Sequence, residues 1–352
     1  MNQESKQFLQ DLITTPSPSG AEYAIQQKWI NYTKQFAHKI QTDAVGNVIA
    51  CLNPNNEFKV MLAGHCDEIA FVVSYIDDNG FLSVIKAGGI SHKIALGMRV
   101  KVLGKNGPIY GVVGVPAEHH GGVGDNLKLE DIYIDCGAID KEDMLKHVNI
   151  GDYVIYDTNY SYMLNDNIVG RGLDNKTGAF IVAEVLKRVA KAEPKVGVYA
   201  VSTVNEETNM GGAYFASSSI NPTLGIACDV TFATDYPNVN NKKHGTVKIA
   251  GGPVLAKGAP INPVANSLLA EVASKNNIPV QYELTPRSTG TDADKIRVSC
   301  KGVPVALVSL PIRYMHSPVE LANTNDIEQE IEILTQFILS LTGEEDFRLL
   351  KA

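Results

Sequence analysis

"NKTGAFIVAEVLKRVAKAEPKVGVYAVSTVNEETNMGGAYFASSSINPTLGIACDV", residues 175–230, switches repeatedly between two hydrophobic periods. Residues 175–192 read as a helix, and "KVGVYAVSTV" (195–204) as a strand. "GGAYFASSS" (211–219) is a short helix, and "PTLGIACDV" (222–230) a second strand. Continuous apolar strands alternating with helices imply a largely parallel sheet covered on both faces. The same alternation runs on through a helix at 262–277, a strand at 303–312 and a closing helix at 325–343. At the other end, two helices open the chain, the second with Ser19 and Glu22 at the spacing of a capping box. The β-rich runs "HKIQTD" (38–43), "NVIACL" (47–52) and "FKVMLAGH" (58–65) follow.

Between residues 70 and 167 the texture changes. "AFVVSYIDDNGFLSVIKAGG" (70–89), "MRVKVLGKNGPIYGVVGV" (98–115), "DIYIDCGA" (131–138) and "GDYVIYDT" (151–158) are short β-patterned stretches split by glycine turns. Only "DKEDMLKHV" (140–148) looks helical. Such a pattern predicts an all-β barrel or sandwich. The expected architecture is α/β, a mixed and mostly parallel sheet sandwiched by helices, made of residues 1–69 and 168–352. An all-β domain, residues 70–167, is inserted into it.

Composition narrows the function. The 352 residues are 44% hydrophobic and 20% charged, as in an ordinary globular protein. A net charge of −8 argues against nucleic acid and anionic membrane surfaces. No apolar run approaches the roughly 20 residues that cross a bilayer, and the polar, helix-like N-terminus does not resemble a signal or transit peptide. The five cysteines are odd in number and widely spaced, without CxxC, which fits free thiols in a reducing cytoplasm better than disulfides or cysteine-bound zinc.

In open α/β sheets, ligands bind beyond the carboxyl ends of the strands. Here "KVMLAG" leads to His65 and then Asp67, "VYAVSTVN" to Glu206 and Glu207, "LGIAC" to Asp229, "VALVSLPIRYM" to His316, and "NIVGRGL" to Asp174. A lone histidine or a Glu-Glu pair is ordinarily a satisfied or solvated residue. Several ligand-type groups on one rim are not explained that way. Imidazoles and carboxylates without a thiolate suit zinc, cobalt or manganese in open hydrolytic sites. A carboxylate can bridge two ions about 3.5–4 Å apart, with a histidine and a carboxylate closing each side. That arrangement needs five ligands: His65, Asp174, Glu207, Asp229 and His316 supply them, and Glu206 is left over. Adjacent residues at a strand end point in different directions, so one glutamate binds metal while its neighbour serves as general base.

The stretches "AGHCDEIAF" (63–71), "GRGLDNKTGAF" (170–180), "NEETNMGGA" (205–213), "ACDV" (227–230), "GTDAD" (290–294) and "PIRYMHSPVE" (311–320) together resemble the M42 family of metallo-aminopeptidases. That family includes glutamyl and tetrahedral (TET) aminopeptidases, and some members carry the label endoglucanase. The resemblance implies a zinc-peptidase-like fold with a PDZ-like dimerisation insert, and two divalent ions per subunit, zinc or cobalt. Asp174 would bridge, His65 and Asp229 would hold one ion, and Glu207 and His316 the other. Glu206 would activate a metal-bridged water, and Asp67 would orient His65. It further implies peptide substrates with a free N-terminus, a dimer-based homo-oligomer up to a dodecamer, and a cis peptide bond at Asp174–Asn175. Three positions depart from the family's pattern, Asn175, Asn205 and Thr208, none of them a ligand or the base.

Competing readings have less support. The alternative is a glycan-active, endoglucanase-type enzyme or another metallohydrolase, but glycosidase chemistry needs two carboxylates and leaves the histidines without a task. There is no GxSxG elbow for a serine hydrolase. A binding module would account for the β domain but not for a full ligand set with a spare base. His119 and His120 in "AEHHGG" are expected to face solvent, and Cys66 and Cys228 to pack inward. Arg171, Lys176, Arg287 and Arg313 are the candidates to meet an acidic substrate side chain.

Overall fold

The computed structural model describes residues 1–124 and 126–350. Its main body is an eight-stranded mixed sheet. Four central strands, Gly197–Thr203, Lys59–His65, Leu224–Phe232 and Val305–Ile312, run parallel in that spatial order. Val48–Leu52 and Lys39–Thr42 extend one side antiparallel. Val254–Lys257 and Gln281–Leu284 extend the other, the former antiparallel to Val305–Ile312.

The central strands are buried on both faces, and their alternate residues feed two separate cores. Val60, Leu62, Val198, Ala200, Ile226 and Val308 pack with the helices Gln3–Thr14, Tyr23–Thr33, Leu173–Ala190, Pro263–Lys275 and Thr324–Ser340. Met61, Ala63, Tyr199, Val201, Ala227 and Leu307 face the other way, toward Gly211–Ile220 and Asp292–Arg297. Trp29 is fully buried and donates its indole N–H to the Ala179 carbonyl at 2.8 Å, tying the second helix to the central one.

The inserted β stretch forms a closed six-stranded antiparallel barrel. Its strands are Ala70–Ile76, Leu82–Ala87, Arg99–Gly104, Gly107–Val113, Tyr133–Asp135 and Tyr153–Tyr156. Phe71, Val100, Val102, Ile134 and Val154 fill it as a core of its own. After the barrel the chain re-enters the main body through a small three-stranded sheet, in which Asn167–Gly170 lies between Ser161–Tyr162 and Glu320–Asn323. That small sheet brings the start of the central helix beside the segment after Val305–Ile312. Among the described residues, no helix is long and apolar enough to cross a membrane.

Candidate metal centre

His65 is the last residue of its strand, in register with Thr203 on the neighbouring parallel strand. Asp229 lies inside Leu224–Phe232, one strand over on the other side. His316 follows Val305–Ile312 at positive φ (60°). Asp174 stands in the first turn of Leu173–Ala190, where its own backbone and that of Asn175 are non-helical and the bond between them is cis. The convergence centres on Asp174. Its Oδ1 lies 3.3 Å from His65 Nε2 and its Oδ2 lies 3.3 Å from His316 Nε2.

The remaining acids divide between the two imidazoles. Asp229 Oδ1 is 3.8 Å and Glu206 Oε2 3.6 Å from His65 Nε2. Glu207 Oε2 is 3.4 Å from His316 Nε2. The two glutamates do diverge, but by a different device from a strand end. Asn205 turns the chain with φ 59°, and Glu206–Asn209 is a short helical turn. Successive residues in a helix are rotated by about 100°, which sends one carboxylate toward each histidine.

Asp67 builds this arrangement from beneath. It is fully buried and has His65 Nδ1 3.4 Å from its Oδ1. Its Oδ1 also accepts the Glu206 N–H at 3.0 Å, and its Oδ2 the Glu207 N–H at 3.2 Å. Ser19 Oγ donates to Oδ2 at 2.6 Å. The capping box expected from Ser19 and Glu22 is therefore not formed. Glu22 is itself the residue before the helix Tyr23–Thr33, and its Oε1 accepts the N–H groups of Gly20 and Asn205. Glu320, to which the sequence attached no role, does the same on the opposite side. Its Oε2 accepts the Asp174 N–H at 3.0 Å and its Oε1 the His316 N–H at 2.8 Å. Asn175 accepts the Gly178 N–H and donates to the Cys228 carbonyl, joining the helix to the strand that carries Asp229.

The electrostatics mark a site short of positive charge. Burial raises the carboxyls of Glu206, Glu207 and Asp229, and neighbouring carboxylates add to the rise, taking Glu206 up to about 9. Burial also acts to raise Asp174, but the two imidazoles outweigh it and hold its carboxyl low. Burial acts to lower His65, yet the surrounding acids lift it well above the usual imidazole range. His65 Nε2 and Glu207 Oε1 are buried without a hydrogen-bond partner. Ligand atoms of His65, Glu206 and Asp229 lie within 4.8 Å of one another, as do those of His65, Asp174 and Glu207. Orphaned nitrogen and oxygen donors around excess negative charge fit divalent cations.

These groups open into a cavity of about 620 Å³. Gly89, in the loop after the barrel strand Leu82–Ala87, forms part of its wall. A β-carbon there would overlap the His316 ring, so this glycine is needed for close approach and not only for a turn. Arg171 and Lys176 do not face the cavity. Both are buried against Glu68, Arg171 Nη1 at 2.6 Å from Oε2 and Lys176 Nζ at 2.7 Å from Oε1. Arg313 pairs with Asp235 at 2.7 Å, and Arg287 is exposed. His119 and His120 are exposed, and Cys66 and Cys228 are buried.

Residues 46–333 match the family described as M42 glutamyl aminopeptidase. A putative aminopeptidase of Acetivibrio thermocellus is 37% identical over 91% of this chain and 94% of its own length. The TET aminopeptidase of a marine sediment archaeon, Thaumarchaeota archaeon SCGC AB-539-E09, superposes with a TM-score of 0.91 at 27% identity, covering 96% of each chain. The TET1 peptidase of Pyrococcus horikoshii, which can assemble into a tetrahedron or a large octahedral shell, has a TM-score of 0.85 at 28% identity. That likeness covers 96% of this chain and 100% of the P. horikoshii chain.

Proposed function

The chain belongs to the M42 glutamyl aminopeptidase family and is a metal-dependent aminopeptidase, and on that premise we propose that Asp174 bridges two divalent cations, zinc or cobalt. His65 and Asp229 complete one site, Glu207 and His316 the other. The observation that carries this reading is the division of Asp174, whose two oxygens face different histidines at equal distance, 3.3 Å. Glu206 is as close to His65 as a ligand would be, but five ligands suffice without it.

Bound there, the cations supply Lewis acidity, polarising the scissile carbonyl and making water more acidic. Glu206 takes a proton from the attacking water and passes it to the departing amine nitrogen as the C–N bond breaks. Asp67 fixes the His65 ring and, through the two N–H groups it accepts, the direction of both glutamates. Glu320 holds the backbones of Asp174 and His316 in mutual register. The substrate's free α-amine is received beside these carboxylates.

Residues 1–69 and 168–352 form the catalytic domain in this reading, and 70–167 the domain that joins subunits. The barrel's outer wall exposes Tyr75, Ile85, Tyr110 and Val112, which favours an interface there. A dimer-based assembly, extending to a dodecamer, parallels the shells formed by the TET1 peptidase. Free cysteines, three of them buried, suit a reducing cytoplasm.

The test compares two peptides on protein loaded with Zn²⁺ or Co²⁺, one with a free N-terminus and one acetylated. Release of the first residue should fall by orders of magnitude on acetylation, because the site then meets a group it cannot pair. Cleavage of a β-glucan with no release of amino acids would overturn the assignment.

A further inference from the structure

Past the proposed metal ligands, the cavity runs by Phe232, Leu307 and Met315 to a carboxylate that peptide hydrolysis does not use, Glu283. It lies on Gln281–Leu284, the edge strand, in register with Ala256 of the adjacent strand. Register partners stand on the same face of a sheet, and Ala256 is too small to obstruct the glutamate. Glu283 reaches across that strand. Its Oε1 accepts from Ser309 Oγ at 2.9 Å and its Oε2 from Thr231 Oγ1 at 2.5 Å.

Both hydroxyls place Glu283 relative to the reaction. Ser309 is the register partner of Asp229, and Thr231 follows Asp229 by two residues on the same face. Two residues of strand span about 6.6 Å, comparable to an extended lysine side chain. Burial raises the Glu283 carboxyl, and the two hydroxyls only partly draw it back. Each carboxylate oxygen keeps a further lone pair, and among the described residues no cation is paired with it. The other charged group of this wall, Lys295, is exposed, and an exposed ammonium gains little from an incoming acid.

We propose that Glu283 is the specificity residue of the cavity and selects peptides whose first residue is lysine or arginine. The cation ends on Glu283, the alkyl stem lies against Phe232, Leu307 and Met315, and the α-amine stays at the metal ligands. This rests on the aminopeptidase reading above.

The experiment measures kcat/KM of the metal-loaded enzyme for lysyl, norleucyl and glutamyl forms of one chromogenic substrate. Norleucine keeps the stem and lacks the charge. Lysyl should exceed norleucyl by about 10- to 100-fold, the worth of a charge-assisted hydrogen bond, with glutamyl lowest. In Glu283→Gln the lysyl-to-norleucyl ratio should collapse toward one, chiefly through KM. A ratio near one in the unaltered enzyme overturns the proposal whether or not the variant folds, as does a variant that keeps the full ratio. Hydrolysis of none of the three would instead overturn the peptidase reading beneath it.

Discussion

Asp67 serves one imidazole and two backbone amides with a single carboxylate, and its burial makes each contact worth more than it would be in water. This is how a pair of adjacent glutamates comes to face two different histidines. The turn at Asn205 and the amides held by Asp67 fix where both side chains start, and the helical rotation sends them apart. Glu206→Gln preserves size but removes the proposed base. It should keep its metal and lose turnover by roughly 10²–10⁴-fold, measured by metal analysis alongside steady-state kinetics. Loss of metal with surviving activity would exchange the roles of Glu206 and Glu207. The proposed ligands were legible in the sequence because each sits at or just past an apolar run. Ser19 and Glu320 were not. Ser19 has a local partner at capping-box spacing, but its real partner is Asp67, 48 residues away. Glu320 acts through backbone amides, one of them 146 residues distant, and such a contact leaves no pattern in side-chain types.

Among the elements, the decisive contact is between the strand Lys59–His65 and the helix Leu173–Ala190. A β-carbon on Gly64 would overlap the backbone of Gly178, and one on Gly178 would overlap the Cys228 carbonyl. These glycines let the helix lie directly on the strands that carry His65 and Asp229, which brings Asp174 within reach of both. Gly64→Ala should push helix and strand apart. Overpacking of this kind costs about 1–3 kcal/mol, and the displacement should also weaken metal binding. Thermal denaturation and a metal titration check the two effects separately, and a variant unchanged in both would remove this explanation. The long helices could be read from their period, and the central strands from short, continuous apolar runs. The last two strands on one side of the sheet, Val254–Lys257 and Gln281–Leu284, could not, because they are four residues each and one follows a Gly-Gly-Pro turn. Glu283 was missed with them.

At the scale of the whole molecule, the barrel and the α/β body meet at the cavity, where the loop of Gly88 and Gly89 packs against Glu207 and His316. The barrel therefore shapes the site while contributing none of the proposed ligands. If its outer wall joins subunits, Ile85→Glu together with Tyr110→Glu should reduce the particle size seen by light scattering and leave the metal content per chain unchanged. An unaltered size would place the interface elsewhere. The proposed bridge at Asp174 predicts a metal stoichiometry that can be counted. Native mass spectrometry of the apoprotein titrated with Zn²⁺ should show two ions per chain, with peptide hydrolysis rising as they bind. Asp174→Asn should hold fewer, since a neutral amide cannot neutralise two cations. Saturation at one ion per chain with full activity, or two ions retained by Asp174→Asn, would contradict it.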